Sequence, residues 1–401
     1  MKTHCKKVKL DYEFVSYWTY DFLHGDYKRN RRAKWLRRDF QRLLADTNNV
    51  SYKEVKDLVK YHNTVVLKEY SDKIALQVFN NINSFLLGGD LEIPKIDHFM
   101  RYDTLSGKNR RCCLMQPIHQ IMEYIGLRAL TDVLDAKIEY YQCASVLHKG
   151  QVFGKEAIER WVRREKLEYY IQCDIVKCFQ SISYKKVINL LKRDIGKNID
   201  LVRYIEALLS VYDNGMLEIG TILSASLCNY ALSYAYRYSL TISYKRRDKT
   251  YPSIIHTLSF MDDFIFFGRN KKELSKAVKL TEQYLQDFLG VGFHEWEVYN
   301  IHDRPIDMMG YVIAYDYTKI RYRIYKRAKR QYVRADVWLK HNRYLNNQRA
   351  YKVSSYFGYF KHTNSRDICN QLGIYPITSK AKKTIAHMSK EECNVNSNII
   401  L

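Results

Sequence analysis

Two short apolar runs, residues 257–260 and 264–267, are separated only by Met261-Asp262-Asp263. A chain that leaves one buried strand and enters another through so few residues must reverse, so this segment predicts a β-hairpin with acids at its tip. Upstream, Tyr169-Tyr170-Ile171-Gln172-Cys173-Asp174-Ile175 alternates as a strand does, placing Tyr170, Gln172 and Asp174 on one face. Asp174 on a strand beside the Asp262-Asp263 turn would form a compact all-oxygen site for Mg²⁺. Such a site can clamp the attacking and leaving oxygens of a phosphoryl transfer. The competing reading, two acids decorating a surface turn, is disfavoured by the apolar strand that follows them at once.

The charge balance points to a polyanionic partner. Sixty-six Lys and Arg stand against 43 Asp and Glu, a formal charge of +23. At 46% hydrophobic and 27% charged, the composition is that of a folded chain with two or three subdomains. The nine cysteines form no CxxC pair and several lie in apolar runs, so they read as reduced core residues of a cytoplasmic protein. No signal peptide is expected behind Met1. The uncharged stretch 219–236 carries too many Ser, Thr and Asn to cross a membrane and reads as a buried helix, so no membrane partner is expected.

Residues 1–95 read as helical and basic. The segment from Lys28 to Arg38, with Trp35, suits either a phosphate-contacting arm or a solvated helix face. Ser51 and Glu54 have capping-box spacing. Gly107 to Arg111 predicts a turn feeding a strand over 112–115, and helices are expected over 118–135 and 153–165. Ser183 is placed to cap a helix beginning at Tyr184, and Asn270 another. Lys319 to Tyr325 alternates, which predicts a strand with Lys319, Arg321 and Arg323 on one face. A helix bearing Lys326, Arg327, Lys329, Arg330 and Arg334 is expected after it. Ten Lys or Arg and one acid, Asp336, fall between 319 and 343, interleaved with tyrosines, a pattern suited to nucleic acid. The last twenty residues read as a polar tail.

These segments together resemble reverse transcriptases. Asp174-Ile175-Val176-Lys177-Cys178-Phe179 is similar to motif A, Ile219-Gly220-Thr221-Ile222-Leu223-Ser224 to motif B and Phe260-Met261-Asp262-Asp263 to motif C. Ile306-Asp307-Met308-Met309-Gly310-Tyr311 is similar to the primer grip, and Arg111 with Pro117 to the nucleotide-binding fingers motif. Tyr141-Gln142-Cys143-Ala144-Ser145, Lys149-Gly150-Gln151 and Gly154 look most like bacterial and prophage members, including defence-associated and diversity-generating retroelement enzymes. Ala225 follows Ser224 where retroelement enzymes carry Gln, which weakens the diversity-generating assignment.

The resemblance implies an α+β right-hand polymerase of fingers, palm and thumb, with an antiparallel palm sheet and helical N- and C-terminal parts. Its divisions would be a helical N-terminal region at 1–95, fingers at 96–168, palm at 169–315 and a basic thumb and tail at 316–401. It also implies that Asp174, Asp262 and Asp263, with the Ile175 carbonyl, hold two Mg²⁺ ions, or Mn²⁺. Lys108, Arg110 and Arg111 would neutralise the triphosphate, Phe179 would exclude a ribose 2′-hydroxyl, Gly220 would let the backbone approach the nucleotide and Ser224 would line the template path. No motif D lysine is evident; His294 stands in its region as a general acid for pyrophosphate or as a structural residue. The expected activity is synthesis of DNA from dNTPs on an RNA template, a dedicated non-coding RNA, in antiphage defence, with a partner protein or a homo-oligomer to accompany it. The alternatives are a diversity-generating enzyme, template-independent or tyrosine-primed synthesis, and an RNA-binding scaffold with a vestigial site. No RNase H or endonuclease domain is expected.

Overall fold

A computed structural model of the chain describes residues 4–25, 33–61, 63–103 and 107–397, with side chains to 387. Residues 28–32 of the N-terminal basic segment lie outside them. The chain divides into two compact units, one of residues 1–148 and 171–297, the other of 149–170 and 298–401.

The N-terminal part is helical: α1 Tyr12–His24, α2 Arg38–Asn48, α3 Tyr52–Lys60 and α4 Thr64–Leu86. The Ser51 hydroxyl accepts the Glu54 amide and so caps α3 as its spacing predicts. Next comes a hairpin, β1 Asp97–Asp103 and β2 Lys108–Leu114, paired from Asp97↔Leu114 to Asp103↔Lys108. The strand therefore starts four residues earlier than expected, because the partner strand supplies pairing through the basic residues. Helices α5 Pro117–Ala129, α6 Thr131–Lys137 and α7 Gln151–Arg163 follow.

Strand β3 Tyr169–Asp174 leads through the short α8 Cys178–Ser181 to α9 Tyr184–Ile195 and α10 Ile199–Ser210. Ser183 holds the N-cap position of α9, but its side chain makes no capping bond. The uncharged stretch becomes α11 Ile222–Thr241, whose Leu223, Leu227, Tyr230, Ala231, Leu232 and Ala235 are buried on most of its circumference. None of the described helices is long and apolar enough to cross a membrane. A small hairpin, β4 Ser243–Arg246 and β5 Lys249–Pro252, precedes β6 His256–Phe260 and β7 Asp263–Gly268. Helix α12 Lys271–Leu289 is capped by Asn270, whose side chain accepts from Lys272 and Glu273, and stopped by Gly290 in the left-handed region.

Strands β6, β7 and β3 are hydrogen-bonded neighbours in that order, so the hairpin and the motif A strand lie side by side. Phe264, Ile265, Phe266 and Phe267 are fully buried, which anchors the sheet. In the second unit, Tyr169 and Tyr170 at the start of β3 pair with β8, Tyr299–Asn300. There, β9 Ile306–Met308, β10 Tyr311–Ile313 and β11 Thr318–Ile320 form an antiparallel sheet of order β11-β10-β9. Helices α13 Tyr322–His341, α14 Asn347–Lys361, α15 Arg366–Gln371 and α16 Ile374–Ser397 complete the unit. The expected polar tail is thus helical as far as Ser397.

The strand expected over 319–325 ends at Ile320. Ile324, Ala328, Tyr332 and Ala335 are buried at helical spacing, and that stripe overrides the local alternation. Helix α7 belongs to this second unit. Tyr359 donates to its Gln151 at 3.0 Å, Lys155 to the His362 carbonyl at 3.3 Å, and Arg163 to Tyr315 O and Thr318 Oγ1 at 3.1 and 2.8 Å. The eight cysteines whose side chains are described are all buried and unpaired by disulfides, in keeping with the reading of reduced core thiols.

Candidate active site

The acid-bearing turn is a two-residue loop between paired Phe260 and Asp263. Met261 takes φ +61°, the left-handed conformation that tight hairpin turns demand at their first central position. The turn places Asp262 at the tip and Asp263 at the start of β7, as the interrupted apolar pattern predicts. The Ile175 amide donates to the Asp262 carbonyl at 3.2 Å. Two further bonds hold the end of β3 from its other side: Val176 N–H to Gly292 O at 3.0 Å and His294 N–H to Asp174 O at 2.8 Å. Asp174 is exposed at that end, beside the tip.

Burial and the Asp174 charge both raise the Asp262 carboxyl from its ordinary range, while Arg110 opposes them. A partly buried carboxyl that feels a second carboxylate, with little positive charge to offset it, belongs to a donor set that fits a divalent cation. The short α8 lies against the same pair. The Cys178 thiol touches Cys228 at 3.4 Å and is pushed well up by that contact, by burial and by the charges of Asp262 and Asp174. Phe179, the second residue of α8 after its N-cap Lys177 at φ +46°, is half-buried.

Motif B meets the β1–β2 hairpin. The Cys113 amide donates to Ile219 O at 2.8 Å, and a Cβ on Gly220 would sit 3.3 Å from both Cys113 N and Cys113 O. Gly220 has φ +110°, so position 220 needs glycine for its conformation as well as for the close approach. Ser224 is fully buried: its hydroxyl accepts the Glu218 amide at 3.1 Å, and its own amide is capped by Thr221 at 2.9 Å. Its bonds fix the turn into α11.

A polar chain continues beneath that turn. Tyr212 bridges Thr221 at 2.9 Å and the wholly buried Glu123 at 2.6 Å. Burial raises Glu123 to about 7 and lowers its neighbour His119 to about 4. Both groups are therefore neutral between those values. The folded Glu123 holds its proton where an unfolded carboxylate has lost it, so its contribution to stability falls as pH rises from about 4.5 to 7. His119 acts in the opposite sense, because the unfolded chain binds more protons between pH 4 and 6.5. The two offset each other. Glu123→Gln is expected to expose the His119 effect, so that stability rises by up to roughly 3 kcal/mol from pH 4 to 6.5. Urea unfolding across that range measures it; a slope equal to the parent's refutes it.

Lys108, Arg110 and Arg111 do not all stand on one face of β2. Strand alternation puts Lys108 and Arg110 together and Arg111 on the reverse side with Cys113. Arg111 pairs there with Asp213 at 2.8 Å, both side chains about two-fifths exposed. Next to this pair lies a group absent from the sequence-based reading. His98 Nε2 is 3.2 Å from Glu218 Oε1, and Cys113 Sγ is 3.3 Å from Glu218 Oε2 and 3.7 Å from His98 Nε2. These three donors lie within 4.8 Å of one another, a set able to take a metal ion. Separations of 15 and 105 residues left no local motif to reveal them.

A family model described as reverse transcriptase (RNA-dependent DNA polymerase) matches residues 93–312. The chain belongs to the reverse transcriptase family. It is accordingly an RNA-directed DNA polymerase, a nucleotidyltransferase that works with an RNA template, a DNA product and dNTPs. Among curated proteins no significant relative was found. Reverse transcriptases use divalent metal ions, and carboxylates such as those of Asp174, Asp262 and Asp263 are the kind of oxygen donor such ions take.

The remaining sequence-predicted residues of the reverse transcriptase are placed as follows. His294 is exposed, and its amide anchors Asp174. In the second unit, Lys319 is exposed on β11 and Arg321 caps α13 in position while its guanidinium meets Asp307 at 2.5 Å. Arg323, Lys326, Lys329 and Arg330 are exposed on α13, and Arg327 is half-buried there. Lys319, Arg321 and Arg323 therefore do not share a strand face.

Proposed function

We propose that this polymerase uses two Mg²⁺ ions held by Asp174, Asp262, Asp263 and the Ile175 carbonyl, and that it is a bacterial or prophage enzyme copying a dedicated non-coding RNA in antiphage defence. The observation that carries the catalytic part is the acid-tipped β6–β7 hairpin bonded through Asp262 O to the strand bearing Asp174. Bound there, the ions would lower the pKa of the primer 3′-hydroxyl and hold the triphosphate. The protein's own contribution is to fix the carboxylates. Three backbone bonds hold the end of β3, and the buried Phe264–Phe267 run holds the turn, so charge is in place before substrate arrives. Arg110, whose charge reaches Asp262, faces the incoming phosphates together with Lys108. Fingers over 96–168, palm over 169–315 and a basic thumb over 316–401 supply the frame, and α13 provides the cationic track for the template and its product.

The defence assignment draws on the Tyr141–Ser145 and Lys149–Gly154 segments and on Ala225. The reduced cysteines favour the cytoplasm of a bacterial or phage-infected cell. Sequencing the nucleic acid that copurifies with the chain, with and without ribonuclease, tests it. One discrete RNA with its complementary DNA is expected; a random transcript pool would overturn the dedicated-template reading.

A further inference from the structure

The β4–β5 hairpin is built against its own stability. Its register pairs Arg246 directly with Lys249, two like charges across a strand pair. Its two-residue tip, Arg247-Asp248, has φ +48° and +59°, so both positions are left-handed where Asn-Gly is the favoured pair. Such conformations in non-glycine residues persist where something else requires the side chain. Residues 245–252 are all exposed, and among the described residues none of Lys245, Arg246, Arg247 and Lys249 has an ion-pair partner. A two-stranded hairpin exposed along its length is marginal by itself in water.

The same costs make sense as a binding face. Strand alternation and the register put Tyr244, Arg246, Lys249 and Tyr251 on one side. The two tyrosine rings stack, centroids 5.7 Å apart at 28°, with Tyr251 40% exposed. Beyond them lie the paired cations, then Arg247 at the tip. Flat aromatic surface followed at once by phosphate-sized positive charge is the combination that takes single-stranded nucleic acid.

We propose that this hairpin is a binding site for single-stranded nucleic acid outside the acid pair, with Tyr244 and Tyr251 as the stacking platform and Arg246, Arg247 and Lys249 as phosphate contacts. The reading adds a site to the polymerase and is independent of the defence assignment.

The test uses the full chain carrying Asp262→Asn, without dNTPs, so that binding is read in isolation from synthesis. Fluorescence anisotropy follows 20-nucleotide RNA and DNA strands of one sequence, and the corresponding duplex, across a salt series. Arg246→Glu with Lys249→Glu preserves the like-charge pairing, so hairpin stability is matched while the sign inverts. It is expected to weaken single-strand binding at least tenfold and to flatten the salt dependence by about 1.4 log units per decade, 0.7 per lost phosphate contact. Tyr244→Leu with Tyr251→Leu is expected to weaken binding several-fold with the salt slope unchanged. Arg247→Asn with Asp248→Gly installs the favoured turn, and should raise the melting temperature while lowering affinity. Loss on RNA alone, on DNA alone or on both supports the site and identifies its ligand. Unchanged single-strand affinity in the charge-reversed chain, or a loss confined to the duplex, overturns the proposal.

Discussion

Asp262→Asn is expected to reduce single-turnover incorporation on a primed RNA template by roughly 10³-fold or more, about 4 kcal/mol of transition-state stabilisation. Asparagine keeps the shape of the side chain and its place in the turn, because the bond that fixes residue 262 runs through its backbone carbonyl to the Ile175 amide. What it removes is the charge. In the free protein that charge is unfavourable, since burial and Asp174 both raise the carboxyl. The substituted chain should therefore melt at or slightly above the parent temperature while losing its chemistry. That opposition separates a catalytic loss from a folding loss. Retention of more than about a tenth of the parent rate would remove Asp262 from the reaction.

The second large effect is expected on sugar selection. Phe179 follows the buried Cys178 on α8, and Cys178 feels the charges of both Asp174 and Asp262, so the ring stands in the segment lining the acid pair. Phe179→Ala is expected to lower the preference for dCTP over CTP, measured as the ratio of kcat/KM values, by on the order of 10²-fold, about 2.7 kcal/mol. The loss should come mainly from faster CTP use. The ring is only half-buried, so the chain should stay folded. An unchanged ratio would reduce Phe179 to a packing residue.

The residues that were legible in sequence are those whose placement follows from local patterning. The hairpin carrying Asp262 could be read because apolar residues flank a turn too short for anything but reversal. The glycine at 220 could be read from its setting in a motif, although its positive φ and its 3.3 Å approach to the backbone of Cys113 needed the tertiary structure. The three cations at 108, 110 and 111 illustrate the limit. A turn followed by a strand at 112 keeps Lys108, Arg110 and Arg111 together, whereas a strand from Lys108 sends Arg111 to the opposite face and into Asp213. Arg323 shows the same failure in reverse, since its run of alternation is shorter than the helical stripe that continues to Ala335. The β4–β5 hairpin escaped notice because its tip is Arg247-Asp248 rather than a sequence that announces a turn, and the Glu123–Tyr212–Thr221 chain because its members are distant in sequence.

The second unit takes α7 from the middle of the chain and ties it by hydrogen bonds to residues near the end. Ile158, Trp161 and Val162 are fully buried, yet the partners of Gln151 and Lys155 lie 208 and 207 residues later. At ordinary ribosomal speeds that interval is roughly 10–40 s. During it the bonds from Tyr359 to Gln151 and from Lys155 to the His362 carbonyl cannot form. A product cut short before residue 298 would keep the acid pair but lack these ties to α7 for good.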